Sequence, residues 1–388
     1  MVELHRRDFI RIATLAAAAG LVGGRKSVAQ APAAAKGDPG AQSYAVSGTS
    51  KPWTVPQRKG PPVSIDVHTH WAPQGYLDLK AGFGQPDFLD PINADLDRRV
   101  KLMGEMGIET NVLTLGGFMP WQWVTPEQGE RVARVTNDAA LEAHAKFPAH
   151  FLAGIALPVA DPASALKELN RVAGKPGMVG VYLPNSLAGR EYLFEPEFAP
   201  VLARCEELGL PLLIHPLDGE PNWFAGHRLA DAYSGIDPHA SGPASRFPGL
   251  TNSIGETFEQ ATTMAKLIVS GTLDKYPNLT PVIMHGGGAL PYIYGRLEAR
   301  GGGRSNLKTP FKEYLRRFYY DSLVYYPIAL RFLIDLVGVD RIMLGTDNMY
   351  GPGNQMAEYP HTVIDQLNLP EGERELILRG NARRLFKL

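Results

Sequence analysis

The chain has 388 residues, of which 44% are hydrophobic and 20% are charged, and its formal net charge is −1. This is the composition of an ordinary globular protein with a large core, in one large domain or two ordinary ones. A charge so close to zero gives no support for nucleic acid or an anionic membrane as a partner. The one cysteine, Cys205, excludes an intramolecular disulfide framework, and its helical setting without a local base predicts a packed, unreactive thiol.

The N-terminus differs in kind from the rest of the chain. Arg6 and Arg7 precede an apolar stretch from Ile12 to Val22, and small-residue sites follow around Ala31. Paired arginines, a modest apolar run and a small-residue cleavage zone are typical of a twin-arginine export signal, which we place at residues 1–35. We therefore expect an exported, periplasmic protein with no membrane anchor after signal cleavage. If the segment is instead a disordered or amphipathic arm, we expect a cytoplasmic protein.

The next segment is rich in Pro, Ala and Gly, and we assign residues 36–62 to a linker or loosely held arm. Residues 63–388 then form the predicted catalytic domain. Short apolar runs alternate there with helical patterns. The predicted strands are residues 63–68, 110–115, 151–157, 179–183, 212–215, 282–285, 318–321 and 341–345, and the predicted helices are residues 96–106, 126–146, 163–172, 197–208, 255–270, 327–337 and 371–386.

Runs that are apolar on consecutive positions are typical of parallel strands buried on both faces. Eight such strands, each separated from the next by a crossover, predict an α/β fold of the (β/α)8 TIM-barrel type. Two long connections, residues 71–95 and 217–252, are predicted as inserted loops after strands 1 and 5. Loops at the catalytic end of such a barrel shape its pocket.

Metal-capable side chains end several of these strands. His68 and His70 are two residues apart on a strand, so both imidazoles leave the same face; a chance pair on a polar strand end has the same spacing. His215 ends the fifth strand, where a hydrogen-bonded core histidine would also fit. Asp347 follows the eighth strand, where helix caps and turn residues are common.

Taken together, the four residues predict a metal site, because the carboxyl ends of barrel strands face one another. Three imidazoles and a carboxylate suit Zn²⁺, with Mn²⁺ or another divalent metal as alternatives. His285 precedes three glycines and is either a further ligand or a base beside a metal-bound water. We favour the base, since histidine titrates near neutral pH and the metal acidifies the water to match.

The motifs Asp-Val-His-Thr-His at 66–70, Ile-His-Pro at 214–216, Met-His-Gly-Gly-Gly at 284–288 and Gly-Thr-Asp at 345–347 form a recognisable set. From about residue 63 onward the chain resembles the amidohydrolase superfamily, and within it the branch that contains aminocarboxymuconate semialdehyde decarboxylase. The resemblance implies zinc on His68, His70, His215 and Asp347, with His285 activating the metal-bound water.

The resemblance also implies substrate-binding residues. Arg296 matches an arginine that reaches a substrate carboxylate from the neighbouring subunit, which implies a homodimer. Arg99, with Arg98 as the alternative, matches a second carboxylate-binding arginine; a solvated helix charge is the competing interpretation. Trp223, in the loop after strand 5, is a further candidate for substrate binding.

These residues leave three functional hypotheses. The first is a metal-dependent decarboxylase of a small aromatic or muconate-like carboxylate, with His285 and Asp347 as its catalytic residues. The second is a hydrolase or hydratase that uses the same site on a lactone or related carbonyl compound. The third is a non-catalytic exported metal-binding protein.

Overall fold

Eight parallel strands form one sheet in which each strand pairs with the next along the chain. In this computed structural model they are β1 Ser64–Trp71, β2 Ile108–Leu115, β3 Phe151–Ala156, β4 Met178–Pro184, β5 Leu212–His215, β6 Pro281–Ile283, β7 Tyr319–Asp321 and β8 Ile342–Met343. The structure describes residues 63–84, 91–115, 120–122, 124–187, 191–216, 254–300, 307–348 and 361–388.

Hydrogen bonds between the segment after β8 and the first strand close the sheet. Val67 N donates to Leu344 O at 2.9 Å, and His70 N donates to Asn348 O at 3.0 Å. With β8 joined to β1, the eight strands form a barrel, so the predicted (β/α)8 fold is confirmed. Closure also brings the first and eighth strand ends side by side, which the site described below requires.

Helices surround the barrel. They are α1 Gln74–Gly82, α2 Leu96–Met106, α3 Pro126–Lys146, α4 Pro162–Val172, α5 Ala199–Leu208, α6 Glu256–Val269, α7 Thr272–Lys275, α8 Leu290–Arg300, α9 Phe311–Leu315, α10 Pro327–Val337, α11 Thr362–Asp365, α12 Glu371–Glu375 and α13 Asn381–Phe386. Their ends follow local sequence rules. Thr125 and Gln128 form a reciprocal capping box at the start of α3, and Gly107 ends α2 in the left-handed conformation.

The hydrophobic core lies in the barrel and between the barrel and its helices. All eight residues of β1 are buried, as are all six of β3. Strand residues such as Val112, Ile155 and Val181 have no exposed surface at all. Burial of an aliphatic side chain of this size stabilises the fold by about 1.5–3 kcal/mol, so the strands are held mainly by packing on both faces.

Some boundaries differ from the sequence predictions. The sequence predicts a loop directly after β1, but this segment contains α1, which turns Tyr76 and Leu77 into the core. Helix α8 is not predicted, because the Gly-rich and Pro-containing stretch before it breaks the helical pattern. The predicted last helix is divided into α12, a π-helical turn at Leu376–Gly380, and α13.

Cys205 is fully buried in α5, and burial raises the pKa of its thiol to about 12. The predicted packing of this thiol is therefore confirmed, and its lack of reactivity stays a prediction. Within the described part of the chain, none of the helices has both the length and the apolar character needed to cross a bilayer. The predicted signal and linker, residues 1–62, lie outside the described residues.

Candidate metal centre

Four side chains converge at the carboxyl end of the barrel. His68 and His70 lie on β1, His215 is the last residue of β5, and Asp347 follows β8. One ligand-capable atom from each lies within 4.8 Å of those of the others. The three imidazoles are buried, so they face one another and the carboxylate instead of bulk water.

The spacing of these atoms fits a single ion. The Nε2 atoms lie 3.1 Å (His68), 2.9 Å (His70) and 3.9 Å (His215) from Oδ1 of Asp347. Ligand atoms about 2.1 Å from a tetrahedral metal ion stand about 3.4 Å from one another. Three imidazoles and one carboxylate can therefore surround one divalent cation with little rearrangement.

The outward-facing nitrogens set the tautomer of each ring. His68 Nδ1 pairs with Asp321 Oδ2 at 2.6 Å, and His215 Nδ1 pairs with the carbonyl oxygen of Pro216 at 2.6 Å. His70 Nδ1 lies 3.0 Å from Thr114 Oγ1, whose own proton goes to a backbone carbonyl, so the hydroxyl accepts from the ring. A neutral ring that carries its proton on Nδ1 presents a lone pair at Nε2 to the centre, as metal ligation requires.

This arrangement explains why a cation belongs here. Nε2 of His70 lies 3.2 Å from Nε2 of His215. Two nitrogen lone pairs at this distance repel each other unless a proton or a metal ion lies between them. The donor set, not only the position on the fold, thus defines a divalent metal site.

Burial and charge shift the pKa values of the clustered groups in different directions. Burial alone would lower the pKa of His68, but the charge of Asp347 and the hydrogen bond to Asp321 raise it to about 10. Burial lowers the pKa of His215 to about 3. Burial by itself would raise the pKa of Asp347, yet the charge of His68 and hydrogen bonds with the histidines hold it well below its ordinary value. Asp347 therefore stays ionised, which is the form that binds a cation.

His285 stands at the edge of the cluster, in the turn after β6. Its Nε2 lies 3.5 Å from Oδ2 of Asp347, and its ring centroid is 5.1 Å from that of His68. Its Nδ1 is buried without a hydrogen-bond partner among the described residues. Among the described residues, the hydrogen-bond partner of this ring is therefore Asp347, a carboxylate that can exchange a proton with Nε2. This suits a group that takes up and releases a proton.

Glycines after His285 let the turn fold against its neighbours. At Gly288, φ is 60° and ψ is −132°, a conformation open almost only to glycine. A Cβ there would lie 2.0 Å from the carbonyl oxygen of Thr257 in α6, and a Cβ on Gly286 would lie 2.3 Å from Val324 Cγ1. The Gly-Gly-Gly motif is thus a steric requirement of the turn that carries His285.

Arg99 lies beneath the site, not open to it. Its guanidinium donates to His70 O at 2.5 Å and to Thr69 Oγ1 at 3.0 Å, and its side chain is buried with 1% of the residue exposed. A carboxylate could bind this guanidinium only after the side chain moved. The solvated helix charge is wrong for Arg99, and its role in substrate binding stays a prediction. The alternative, Arg98, is half-buried on the same helix.

Arg296 is exposed on α8, the helix that follows the glycine turn. Within one chain it is not part of the cluster, so its predicted role depends on a second subunit. Trp223 and the rest of the insertion after β5 lie outside the described residues. The structure therefore places the predicted ligands and His285 together, while the three substrate-binding predictions stay predictions.

Two residues that contact the ligands are absent from the sequence predictions. Thr114, near the end of β2, bonds His70, and Asp321, the last residue of β7, bonds His68. A sequence feature could have identified Asp321, because it is an acidic residue at the end of an apolar strand run. No sequence feature identifies Thr114, since threonine is common in strands and only the fold turns its hydroxyl to His70.

The closed barrel and its strand-end cluster define the class of protein: a metal-dependent (β/α)8 enzyme. Residues 65–388 match the family model described as amidohydrolase. The chain belongs to the amidohydrolase family.

Similar proteins in this family include decarboxylases. Gamma-resorcylate decarboxylase of Rhizobium sp. (strain MTP-10005) is 30% identical over 344 residues, 84% of this chain and 98% of that protein. The 2-amino-3-carboxymuconate-6-semialdehyde decarboxylase of Dictyostelium discoideum is 26% identical over 348 residues, 82% of this chain and 90% of that protein. The resemblance to this branch is confirmed.

A solved structure is similar over the same range. It is the dihydroxybenzoic acid decarboxylase of Polaromonas sp. JS666, with bound manganese and the inhibitor 2-nitroresorcinol. It has a TM-score of 0.67 and 27% identity, and the match covers 84% of this chain and 97% of that one.

Proposed function

We propose that this protein is a metal-dependent decarboxylase that acts on a small aromatic or muconate-like carboxylate. The observation that carries the proposal is the position of Asp347, with one oxygen toward the three clustered imidazoles and the other 3.5 Å from His285. A proton carrier thus stands directly beside a metal site. The decarboxylase relatives named above support the choice of reaction.

In this mechanism the protein holds the substrate and manages one proton. A divalent cation held by His68, His70, His215 and Asp347 would supply positive charge to substrate oxygens as negative charge develops. The bond between the substrate carbon and its carboxyl group breaks, carbon dioxide leaves, and the electron pair left on carbon takes up a proton. That proton comes from water at the site: His285 takes it up as a base, exchanges it with the carboxylate of Asp347 and delivers it to the carbon, while the hydroxide left by the water departs to solvent.

For the metal we propose Zn²⁺, with Mn²⁺ as the alternative. Three imidazoles and a carboxylate bind either ion, and the manganese in the Polaromonas relative supports the second. Elemental analysis of protein purified without added metal, followed by reloading with each ion in turn, distinguishes them. Activity restored by one ion alone identifies the metal used.

We also propose a homodimer in which Arg296 of each subunit reaches the substrate carboxylate in the other. An exposed apolar patch on α8 and α10 supports this arrangement. Tyr292 is 53% exposed and stacks on Phe332 with ring centroids 4.7 Å apart, and Ile328 is 79% exposed. Arg296 follows Tyr292 by one helical turn, so a subunit that covered the patch would come close to this guanidinium. Arg99 and Trp223 remain candidates for the rest of the substrate.

Export through a twin-arginine signal at residues 1–35 is the localisation that we propose. The support is the Arg6–Arg7 pair ahead of an apolar run in the sequence. Cell fractionation of the full chain tests it, with a double Arg6→Lys, Arg7→Lys variant and an Arg25→Lys control. Periplasmic wild type and control with a cytoplasmic double variant support export, whereas identical distribution of all three contradicts it.

Mass spectrometry of products tests the activity. The metal-loaded protein is incubated with dihydroxybenzoates, other aromatic carboxylates, muconate semialdehydes and lactones, beside His285→Ala and His150→Ala variants. His150 is a matched control, because it precedes β3 at the opposite end of the barrel. We expect one panel member to lose the mass of carbon dioxide with wild type and His150→Ala but not with His285→Ala.

The other outcomes are equally informative. Gain of the mass of water by a lactone or an unsaturated acid would replace the decarboxylase with the hydrolase or hydratase and leave the site assignment intact. No turnover of any panel member by protein that contains a full equivalent of metal would favour the non-catalytic metal-binding hypothesis.

A further inference from the structure

Asp321 is a fully buried carboxylate whose two oxygens both serve the site from outside the ligand set. Oδ2 accepts the proton of His68 Nδ1 at 2.6 Å and the backbone N–H of His285 at 2.9 Å. Oδ1 accepts the backbone N–H groups of Gly286 at 2.7 Å and Leu323 at 3.2 Å. One side chain thus joins a ligand on β1 to the turn that carries the proton carrier.

From this geometry we propose that Asp321 is a positioning residue that fixes the ring of His68 and the turn of His285 relative to each other. The proposal rests on the proposed function, because it assigns His68 to the metal and His285 to the proton. Through His68 the carboxylate orients a metal ligand, and through two backbone N–H groups it holds the turn. Any displacement of Asp321 would change the distance between the metal and the proton carrier.

Only a carboxylate satisfies the four donors around Asp321. An ionised carboxyl group is acceptor-only, so all four hydrogen bonds can form at once. An asparagine would place an NH₂ group either against the ring N–H of His68 and the backbone N–H of His285, or against the backbone N–H groups of Gly286 and Leu323.

The asparagine variant therefore loses hydrogen bonds in one of two defined ways. If its NH₂ group faces His68, the ring must accept at Nδ1 and carry its proton on Nε2, which then points at the metal position. A ring in that tautomer cannot ligate a cation through Nε2. If the NH₂ group takes the place of Oδ1, the N–H groups of Gly286 and Leu323 lose their acceptor.

A second observation shows that the contact is built into the fold. Gly345, in the segment after β8, packs against both partners. A Cβ added to Gly345 would lie 2.6 Å from Cβ of Asp321 and 2.9 Å from Cβ of His68. Because no side chain stands at this position, β7 and β1 can bring Asp321 and His68 together across the end of the short strand β8.

Asp66 provides a matched control for a merely structural role. It is also a fully buried carboxylate in the barrel, and it accepts from Thr346 Oγ1 at 2.6 Å and from the backbone N–H of His68 at 3.1 Å. These donors are a hydroxyl and a backbone amide, not an imidazole ring. Replacing Asp66 with asparagine disturbs the same barrel without acting on the tautomer of His68.

The experiment compares Asp321→Asn with Asp66→Asn and wild type in the full chain. Metal affinity is measured by competition with a chromophoric chelator for Zn²⁺, and ligand geometry by the visible spectrum after Co²⁺ substitution. We expect Asp321→Asn to bind Zn²⁺ about tenfold to a hundredfold more weakly and to change the Co²⁺ spectrum. We expect Asp66→Asn to keep the wild-type spectrum even if its melting temperature falls.

Kinetics at saturating metal test the link to His285. We expect kcat of Asp321→Asn to fall with little change in KM, because the turn that holds His285 has shifted while substrate binding has not. Wild-type metal affinity, spectrum and kcat in folded Asp321→Asn would overturn the proposal. An equal loss of metal affinity in Asp66→Asn would overturn it as well, since loss of any buried carboxylate in the barrel would then weaken metal binding.

A measurement on wild type covers the case in which the variant does not fold. With ¹⁵N-labelled histidine, we expect a downfield, exchange-protected Nδ1 proton on His68, assigned by its loss in His68→Gln. Absence of that proton would contradict the hydrogen bond to Asp321. If the metal results hold but wild type releases no carbon dioxide from any substrate, the proposed function fails and the positioning of His68 stands.

Discussion

Asp347 and His285 face each other across 3.5 Å, Oδ2 to Nε2, and both adopt left-handed backbone conformations, with φ of 58° and 54°. Residues other than glycine rarely do so, and such strain is concentrated at functional sites. The barrel maintains these two strained conformations because both residues directly follow buried strands. The carboxylate is thereby shared between the ligand cluster and a side chain that is free to carry a proton.

Replacing His285 separates the two roles considered for it. In His285→Gln we expect kcat to fall by about 10²–10⁴-fold while the protein keeps its full metal content, because proton transfer is lost and the ligands are intact. Elemental analysis and steady-state kinetics on the same preparation measure both. Loss of the metal from this variant would instead make His285 a ligand.

Removal of the metal should destabilise the fold. The cluster places a buried carboxylate among three imidazoles, and a cation that binds only the folded state stabilises it by about 2.7 kcal/mol at a hundred times its Kd. We expect dialysis against a chelator to lower Tm and added Zn²⁺ or Mn²⁺ to restore it in calorimetry. An unchanged Tm in protein shown to be metal-free would contradict a ligand set that spans β1, β5 and β8.

Gly288→Ala should damage the turn that carries His285. The new Cβ would meet the carbonyl oxygen of Thr257 in a conformation that costs other residues about 1–3 kcal/mol, so we expect a lower free energy of unfolding and reduced kcat. Gly104→Ala is the control. Gly104 lies inside α2, where a methyl group would have none of the described atoms within 4 Å beyond its own helix, and alanine there should stabilise the helix by about 0.5–1 kcal/mol. Denaturant unfolding measures both free energies of unfolding. A change of the same sign in the two variants would contradict the steric explanation.

Loss of Arg296 should affect substrate binding through the partner subunit. In Arg296→Ala we expect KM to rise by about tenfold or more, since a charge-assisted hydrogen bond contributes about 1.5–3 kcal/mol. Lys167→Ala removes another exposed charge, from α4, three strands away round the barrel, and should have no effect. Light scattering accompanies the kinetics. If the wild-type protein is a monomer with full activity, Arg296 does not bind the substrate of a neighbouring subunit.

Cys205 should be unreactive while the protein is folded. Burial raises the pKa of this thiol to about 12, so it stays protonated and inaccessible where an exposed thiol, with a pKa of about 8.5, is partly ionised. We expect no alkylation by iodoacetamide at pH 8.5 until denaturant is added. The unfolded chain releases this proton above about pH 8.5 and the folded chain retains it, so this group makes stability fall as pH rises. Rapid labelling of native protein, followed by mass spectrometry, would disprove the burial.

The strands and the ligand set could be predicted from the sequence because they depend on local patterns. Consecutive apolar residues mark a strand buried on both faces, and the spacing of His68 and His70 puts both rings on one side of β1. The other two ligands needed only one further rule, that barrel strands end on a common face. Boundaries were less accurate for β6 and β8, where residues after the short strands continue in turns and bridges.

Contacts between distant segments were decided by the tertiary structure. Asp321 and His68 are 253 positions apart, and only the closure of β8 onto β1, with Gly345 between them, brings a carboxylate to the ring. In the same way Arg99 is turned inward beneath β1 by the packing of α2, where its sequence context fits an exposed charge equally well. Periodicity reports which face of a strand or helix a residue occupies. It carries no information about which other segment that face meets, because that depends on the register and closure of the whole barrel.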